Sequence, residues 1–219
     1  MKTNIYTNTT ESAPVIYLNV YDGDGSDVWE QCIEMSLPPV TLVVLSDIAW
    51  DEQLSPWKAE PVFKQDNFTG GADEYLHELV TSVIPEVEAK LLPVTKRCIA
   101  GYSLAGLFAA YAVYSTDMFD SMVSASGSFW FPGFIEYMKA HSVSNNLKCA
   151  YLSLGNKEHK VRNPVMSTVL SRTREAEEIL RSAGVKVIYE ENPGNHFTEP
   201  AHRTAKGIEW VLQNMMVKE

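Results

Sequence analysis

An α/β fold, with a mostly parallel central sheet and helices on both its faces, is what this sequence predicts. Three observations carry that prediction. Short apolar runs rich in β-branched residues alternate with longer segments of helical periodicity along the chain, and such alternation implies parallel strands joined by right-handed crossovers. Thr41-Leu42-Val43-Val44-Leu45 is continuously apolar, as strands buried on both faces are. Residues 97–111 read RCIAGYSLAGLFAAY, a strand that turns at Ser103 into an Ala- and Leu-rich helix.

The elements follow in order. Residues 14–20 read as a strand, 22–26 as a loop ending in a helix cap, 28–35 as a short helix broken by Pro38-Pro39, and 41–45 as a strand. Residues 46–71 form a long irregular stretch, and loops of that length inside a domain are usually functional. Residues 72–92 read as a helix capped by Asp73, with Leu76, Leu79, Val80, Val83, Ile84 and Val87 at helical spacing and a kink at Pro85. A strand at 119–125 runs into the aromatic cluster of 126–134. A strand at 147–154, a loop at 155–164, an amphipathic helix at 165–183 closed by Gly184, a strand at 185–189, a loop at 190–198 and a helix at 199–217 complete the chain. No repeat or low-complexity segment interrupts it.

Composition bounds the function. The 219 residues fit one α/β domain, and 45% apolar content supplies an ample core. The net charge of −10 argues against nucleic acid or an anionic membrane as partner. No run reaches the ~20 apolar residues of a membrane span, and no secretory signal is evident. Cys32, Cys98 and Cys149 are odd in number and far apart, which reads as buried free thiols in a reducing compartment. Asn8-Thr9-Thr10 and Asn67-Phe68-Thr69 match the glycosylation pattern by coincidence, and the cytoplasm is the expected location. The sequence leaves a homo-oligomer open.

The turn at Ser103 fits a nucleophile elbow, G-x-S-x-G, with Ala105 at the last small position. Small residues are required there because strand and helix approach closely, and the helix N-terminus favours a developing negative charge. The structural alternative is a serine capping an ordinary helix. A serine hydroxyl needs an adjacent base, usually a histidine held by a carboxylate. Folds with this elbow order the three as serine, acid, histidine, and Ser103, Glu158 and His196 stand in that order. His77, His141 and His202 lie on helical stretches, and His159 follows a different strand from His196. A working pair of Ser103 and His196 without an essential carboxylate remains open. In an esterase, the loop after residues 41–45 would give a second oxyanion N–H from Asp47, Ile48 or Ala49, with Ile48 at the centre of that group. Trp50, Trp57, Tyr102, Trp130 and Phe131 would line an apolar substrate pocket, against the alternative that they only pin loops to the core.

The residues Gly71-Ala72-Asp73 to Pro85, Ala100 to Ala109, Ser126-Gly127-Ser128-Phe129-Trp130 and Gly194-Asn195-His196-Phe197 resemble a family of the α/β-hydrolase superfamily that includes esterase D and the enterobactin-type siderophore esterases. The resemblance covers most of the chain; Ala105 departs from it, standing where glycine is usual. It implies an α/β-hydrolase fold with a minimal cap, Ser103 as nucleophile, His196 as base and the Leu104 backbone N–H in the oxyanion hole. The expected function is cleavage of a small-molecule carboxylic ester through an acyl-enzyme, with no metal or organic cofactor. A non-catalytic binding module on the same fold, or acyl transfer by the same residues, are the alternatives.

Overall fold

The computed structural model describes residues 1–215. Its centre is a seven-stranded sheet in the order β1-β3-β2-β4-β5-β6-β7. The strands are β1 (Lys2–Thr7), β2 (Val15–Asn19), β3 (Thr41–Ser46), β4 (Arg97–Tyr102), β5 (Ser121–Ala125), β6 (Cys149–Gly155) and β7 (Lys186–Asn192). All pairings from β3 to β7 are parallel, and only β1 runs antiparallel, against β3. This is the α/β-hydrolase architecture.

β2 to β6 are the apolar runs the sequence predicts, and all their residues are buried except Arg97 and Tyr102 at the two ends of β4. β1 is an addition. Its polar sequence KTNIYT alternates between exposed and half-buried positions at the sheet edge. Main-chain pairing from Lys2↔Ser46 to Thr7↔Thr41 holds it, not an apolar face. The Asn8 side chain then donates to the Leu37 carbonyl (3.1 Å) and accepts from the Val40 N–H (2.8 Å), so this asparagine is a structural tie.

Two apolar layers cover the sheet. On one face α1 (Ser26–Glu34) and α8 (Pro200–Met215) pack over Ile16, Leu18, Leu42 and Val44. On the other lie α3 (Ala72–Glu78), α4 (Ile84–Glu88), α5 (Leu104–Ser115), α6 (Phe134–Ala140) and α7 (Val169–Ser182). α5 is buried from Leu104 to Val113. A helix apolar on all sides belongs in the interior, and its alanines let it lie close to the sheet. Each fully buried Phe, such as Phe108 and Phe119, contributes roughly 1.5–3 kcal/mol.

Three local expectations are refined. The stretch 46–71 is not wholly irregular: it holds α2 (Trp50–Leu54) and folds back through a Lys58↔Thr69 bridge. Asp73 does not cap the helix at 72. Gly71 takes the cap position without a side-chain bond, and the Asp73 carboxylate accepts from the Tyr111 hydroxyl instead. The Pro85 kink takes the form of a π segment, Leu79–Val83, in which the Ile84 N–H reaches the Leu79 carbonyl. Proline has no N–H and crowds the carbonyl four residues earlier, so the helix widens just before it. The closing helix is described to Met215; the two further positions expected in it, 216 and 217, lie outside the described residues. Among those residues, no helix is long and apolar enough to cross a membrane. All three cysteines are buried and free, and burial pushes the Cys32 and Cys149 thiols up to about 12.

Candidate active site

The carboxyl ends of β4, β5, β6 and β7 lie side by side, where open α/β sheets place their ligands. Ser103 and Ser126 follow β4 and β5 at once, and Glu158 and His196 lie in the loops that leave β6 and β7. Ser103 follows β4 with φ 59° and ψ −122°, a strained conformation for a residue with a side chain. Its N–H donates to the Ala125 carbonyl (3.1 Å), while its own carbonyl accepts from Leu107 and Ser128, each at 3.1 Å. The neighbours must be small: a Cβ on Gly101 would collide with the Ala105 backbone, and one on Gly106 would lie 2.9 Å from Ser124 Oγ. Ala105 itself is fully buried and accommodated. Its backbone C and O, 2.3 and 2.4 Å from where a Cβ on residue 101 would stand, leave glycine there without a substitute.

The Ser103 hydroxyl lies 3.0 Å from His196 Nε2, and His196 Nδ1 lies 2.8 Å from Glu158 Oε2. The structure therefore brings together the three residues that chain order picked out. Two loops laced to each other hold the acid and the imidazole in register. The Asn156 N–H donates to the Asn192 carbonyl (2.8 Å), the Lys157 N–H to the Gly194 carbonyl (3.0 Å), and the Gly194 N–H to Asn156 Oδ1 (3.1 Å). Gly155 is needed at this crossing, because a Cβ would sit 2.6 Å from the Gly194 carbonyl oxygen.

Glu158 is almost wholly buried. Burial disfavours its charge, but the hydrogen bond and charge of His196, the Gly155 N–H (2.5 Å) and the Ser126 hydroxyl (2.7 Å) outweigh that cost. They hold its carboxyl below the ordinary carboxylate range. Tyr102 donates through its hydroxyl to the His196 carbonyl (2.7 Å) and sets its ring 5.3 Å from the imidazole.

Ser103 sits where two clefts meet. One, of about 410 Å³, is lined by Leu18, Tyr21, Asp22, Trp50, Tyr102 and Phe197. The other, of about 590 Å³, is lined by Phe63, Trp130, Val161, Arg162, Met166 and Phe197. Tyr102, Trp50 and Trp130 thus face the site as the sequence suggested. Trp57 and Phe131 do not, and both readings are corrected. Trp57 donates from Nε1 to the Pro132 carbonyl (2.9 Å) and packs against Phe131, Phe134 and Tyr137. Phe131 is buried against Trp57 and Phe68. These two pin the long loop to α6.

Ile48 is also corrected. It lines neither cleft and packs on the core. The reason is the sheet order: β2, not β3, is the neighbour of β4. The loop after β2 therefore overlooks the serine, with Val20, Tyr21 and Asp22 lining the first cleft. The Val20 N–H is spent on the Leu45 carbonyl. The residues that sequence reasoning missed are Ser126 and Arg203, both hydrogen-bonded to Glu158 Oε1. Arg203 carried one signal: it lies four and eight residues before Gly207 and Val211 on the buried face of α8, a charge inside an apolar stripe.

An α/β-hydrolase sheet with a serine at its elbow, facing a histidine, defines the class: serine hydrolases. The family model described as "Putative esterase" matches residues 1–203, and the chain belongs to that family. It is a carboxylic ester hydrolase. Among curated proteins it is 25% identical over 195 residues to the uncharacterized protein YbbA of Bacillus subtilis (strain 168), covering 82% of this chain and 75% of that one. Solved structures share its fold at lower identity. An IroE-like serine hydrolase from Shewanella oneidensis superposes with a TM-score of 0.77 at 18% identity, covering 99% of this chain and 77% of that one. The siderophore hydrolase EstA from Aspergillus nidulans gives 0.72 at 19%, covering 96% and 89%. The enterobactin esterase FES from Shigella flexneri gives 0.70 at 20%, but this chain spans only 55% of its length.

Proposed function

We propose that the protein cleaves its ester through an acyl-enzyme, with Ser103 as nucleophile, His196 as general base and Glu158 as the residue that orients the imidazole. The observation that carries this reading is the unbroken relay from the Ser103 hydroxyl through both ring nitrogens of His196 to Glu158, at 3.0 and 2.8 Å. The neutral imidazole that accepts from Ser103 at Nε2 must carry its proton on Nδ1, facing Glu158. That carboxylate stays charged because its carboxyl is held low. Ser103 attacks the ester carbon, and its proton passes to Nε2. The imidazolium then returns the proton to the leaving alcohol. Water enters by the same route in reverse and frees the acid.

The oxyanion would be held by the Leu104 N–H, at the start of α5, and by an N–H of the Tyr21–Asp22 turn. Each donor is worth about 3–4 kcal/mol in comparable sites. Two clefts that diverge from one hydroxyl suit an ester with a bulky apolar or aromatic group on either side of the carbonyl. One cleft takes the acyl part and the other the alcohol.

A fluorophosphonate probe and a p-nitrophenyl ester test the reading together. Wild-type protein should be labelled once per chain and turn over the ester, and Ser103→Ala should abolish labelling and lower kcat by at least about 10⁴-fold. Labelling that survives in the folded Ser103→Ala protein would place the nucleophile elsewhere.

A further inference from the structure

We propose that Arg203 is a positioning residue for the hydrolysis: one buried guanidinium that fixes the acid, the histidine loop and the charge balance of the relay at once. The inference rests on the triad reading above.

Arg203 is 1% exposed, the largest fully buried side chain among the described residues. Its Nη1 donates to Glu158 Oε1 (3.2 Å), to the Tyr102 hydroxyl (3.2 Å) and to the Ser126 hydroxyl (3.3 Å). Its Nη2 donates to the Pro193 carbonyl (2.7 Å). Each partner leads to the relay by a separate path. Glu158 presents its other oxygen to the imidazole, and the Tyr102 hydroxyl donates onward to the His196 carbonyl. Ser126 holds the same oxygen of Glu158 that the guanidinium touches, and Pro193 stands three residues before His196 in its loop. No atom of Arg203 touches Ser103 or the imidazole among its hydrogen bonds, so it acts through other residues.

Two consequences follow. The first is geometric. A buried cation is costly to place, and a charge set here purely for stability could have been an apolar side chain in the stripe of α8. One of its four bonds goes to Oε1 directly and a second to the Ser126 hydroxyl that donates to the same oxygen, so that Oε2 is left facing His196. The second is electrostatic. The guanidinium sets a positive charge 3.2 Å from Glu158 Oε1 and so offsets part of the carboxylate's charge as the imidazole meets it. The other charged or titratable groups that face this point are Tyr102, Tyr189, Lys157, Arg162, Asp22 and Asp27. The first two stay neutral, since burial raises both phenols. The last four stand at the cleft walls.

The test is a pair of variants, Arg203→Met and Arg203→Lys, read by the pH profile of kcat/KM for a p-nitrophenyl ester, with fluorophosphonate labelling and thermal melts alongside. Arg203→Met should lower kcat by roughly 10²-fold, the cost of a displacement near 1 Å in such a site, with KM within about twofold. Its acid limb should move to higher pH by at least about half a unit, because the offsetting cation is gone. Arg203→Lys keeps the charge but not the fork. It should leave the acid limb in place and still lose roughly tenfold in kcat, since one ammonium cannot reach Glu158, Tyr102 and Pro193 together. A folded Arg203→Met with an unchanged limb and unchanged kcat overturns the inference. If Arg203→Met does not fold, Arg203→Lys decides alone, and wild-type kcat in that variant overturns it. Failure of the triad reading would look different, since the wild-type protein would then escape the probe.

Discussion

Two glutamate–arginine pairs sit at opposite ends of the parallel sheet, and they are built differently. At the amino end Glu88 and Arg97 form a closed fork. Arg97 Nε donates to Oε1 and Nη2 to Oε2, each at 2.7 Å, and the Tyr17 hydroxyl adds a third bond to Oε1 at 2.9 Å. Both carboxylate oxygens are consumed by the clasp, which ties α4 to β4 and β2. At the carboxyl end Arg203 takes only one oxygen of Glu158, shared with Ser126 and the Gly155 N–H, and the other faces the imidazole. The exposures differ as well: the side chains of Arg97 and Glu88 are 31% and 17% exposed, those of Arg203 and Glu158 only 2% and 4%. The same two residue types are therefore built in two ways. A carboxylate with both oxygens in a fork can only hold structure. One with an oxygen left to a histidine can orient a base.

The largest expected effect breaks the comparison at its carboxyl end. Glu158→Gln should keep the fold and lower kcat by about 10³–10⁴-fold, because an amide facing Nδ1 favours the wrong tautomer. Glu88→Gln should leave kcat within about twofold. Both are read by steady-state hydrolysis of one p-nitrophenyl ester. Activity of Glu158→Gln within about tenfold of wild type would mean that Ser103 and His196 work as a pair, and that the split carboxylate is structural after all.

The next effect reverses the ranking, in stability. Glu88→Gln loses a charge-assisted fork at a half-exposed site, an interaction worth about 1 kcal/mol. For a chain of this size that corresponds to a thermal midpoint lower by about 2–4 °C, measured by circular dichroism at neutral pH. A change below about 1 °C would make the clasp energetically idle despite its geometry.

How much of this was legible beforehand follows from what each residue must satisfy. Ser103 was legible because its turn dictates its neighbours: the space between β4 and α5 admits no Cβ at Gly101, and that demand is written as small residues. The buried strands were legible because they are apolar throughout. β1 was not, since its place is fixed by main-chain bonds to β3 and four of its six residues are exposed. The expectation looked to the loop after β3, because chain order does not reveal that β2 separates β3 from β4 and that the loop after β2 lines the cleft at Ser103. Trp57 and Phe131 resemble Trp50 and Trp130 in sequence. Only the fold tells them apart: Trp57 and Phe131 pack on each other and on Phe134 and Phe68, while Trp50 and Trp130 line the clefts. Arg203 was hidden because an arginine in an amphipathic helix ordinarily points to water, and its partners come from four separate segments of the chain.

The smallest effect sharpens the comparison through pH. Burial raises the Glu88 carboxyl, but the hydrogen bonds of Arg97 and Tyr17 and the charge of Arg97 outweigh it, so the group is held below its ordinary value of 4.5. A carboxylate lowered in the folded state stabilises the fold fully above that ordinary value, and the contribution is lost as pH falls through the lowered one. Glu88→Gln has already lost it. The gap of a few degrees between wild type and Glu88→Gln should therefore hold from pH 7 to about 5 and narrow as pH falls below 4.5. Thermal melts at pH 7, 5 and 3 read it directly. A gap that persists undiminished at pH 3 would show that the clasp depends on the shape of the side chain and not on its charge. The contrast with Glu158 would then be one of hydrogen-bond geometry alone.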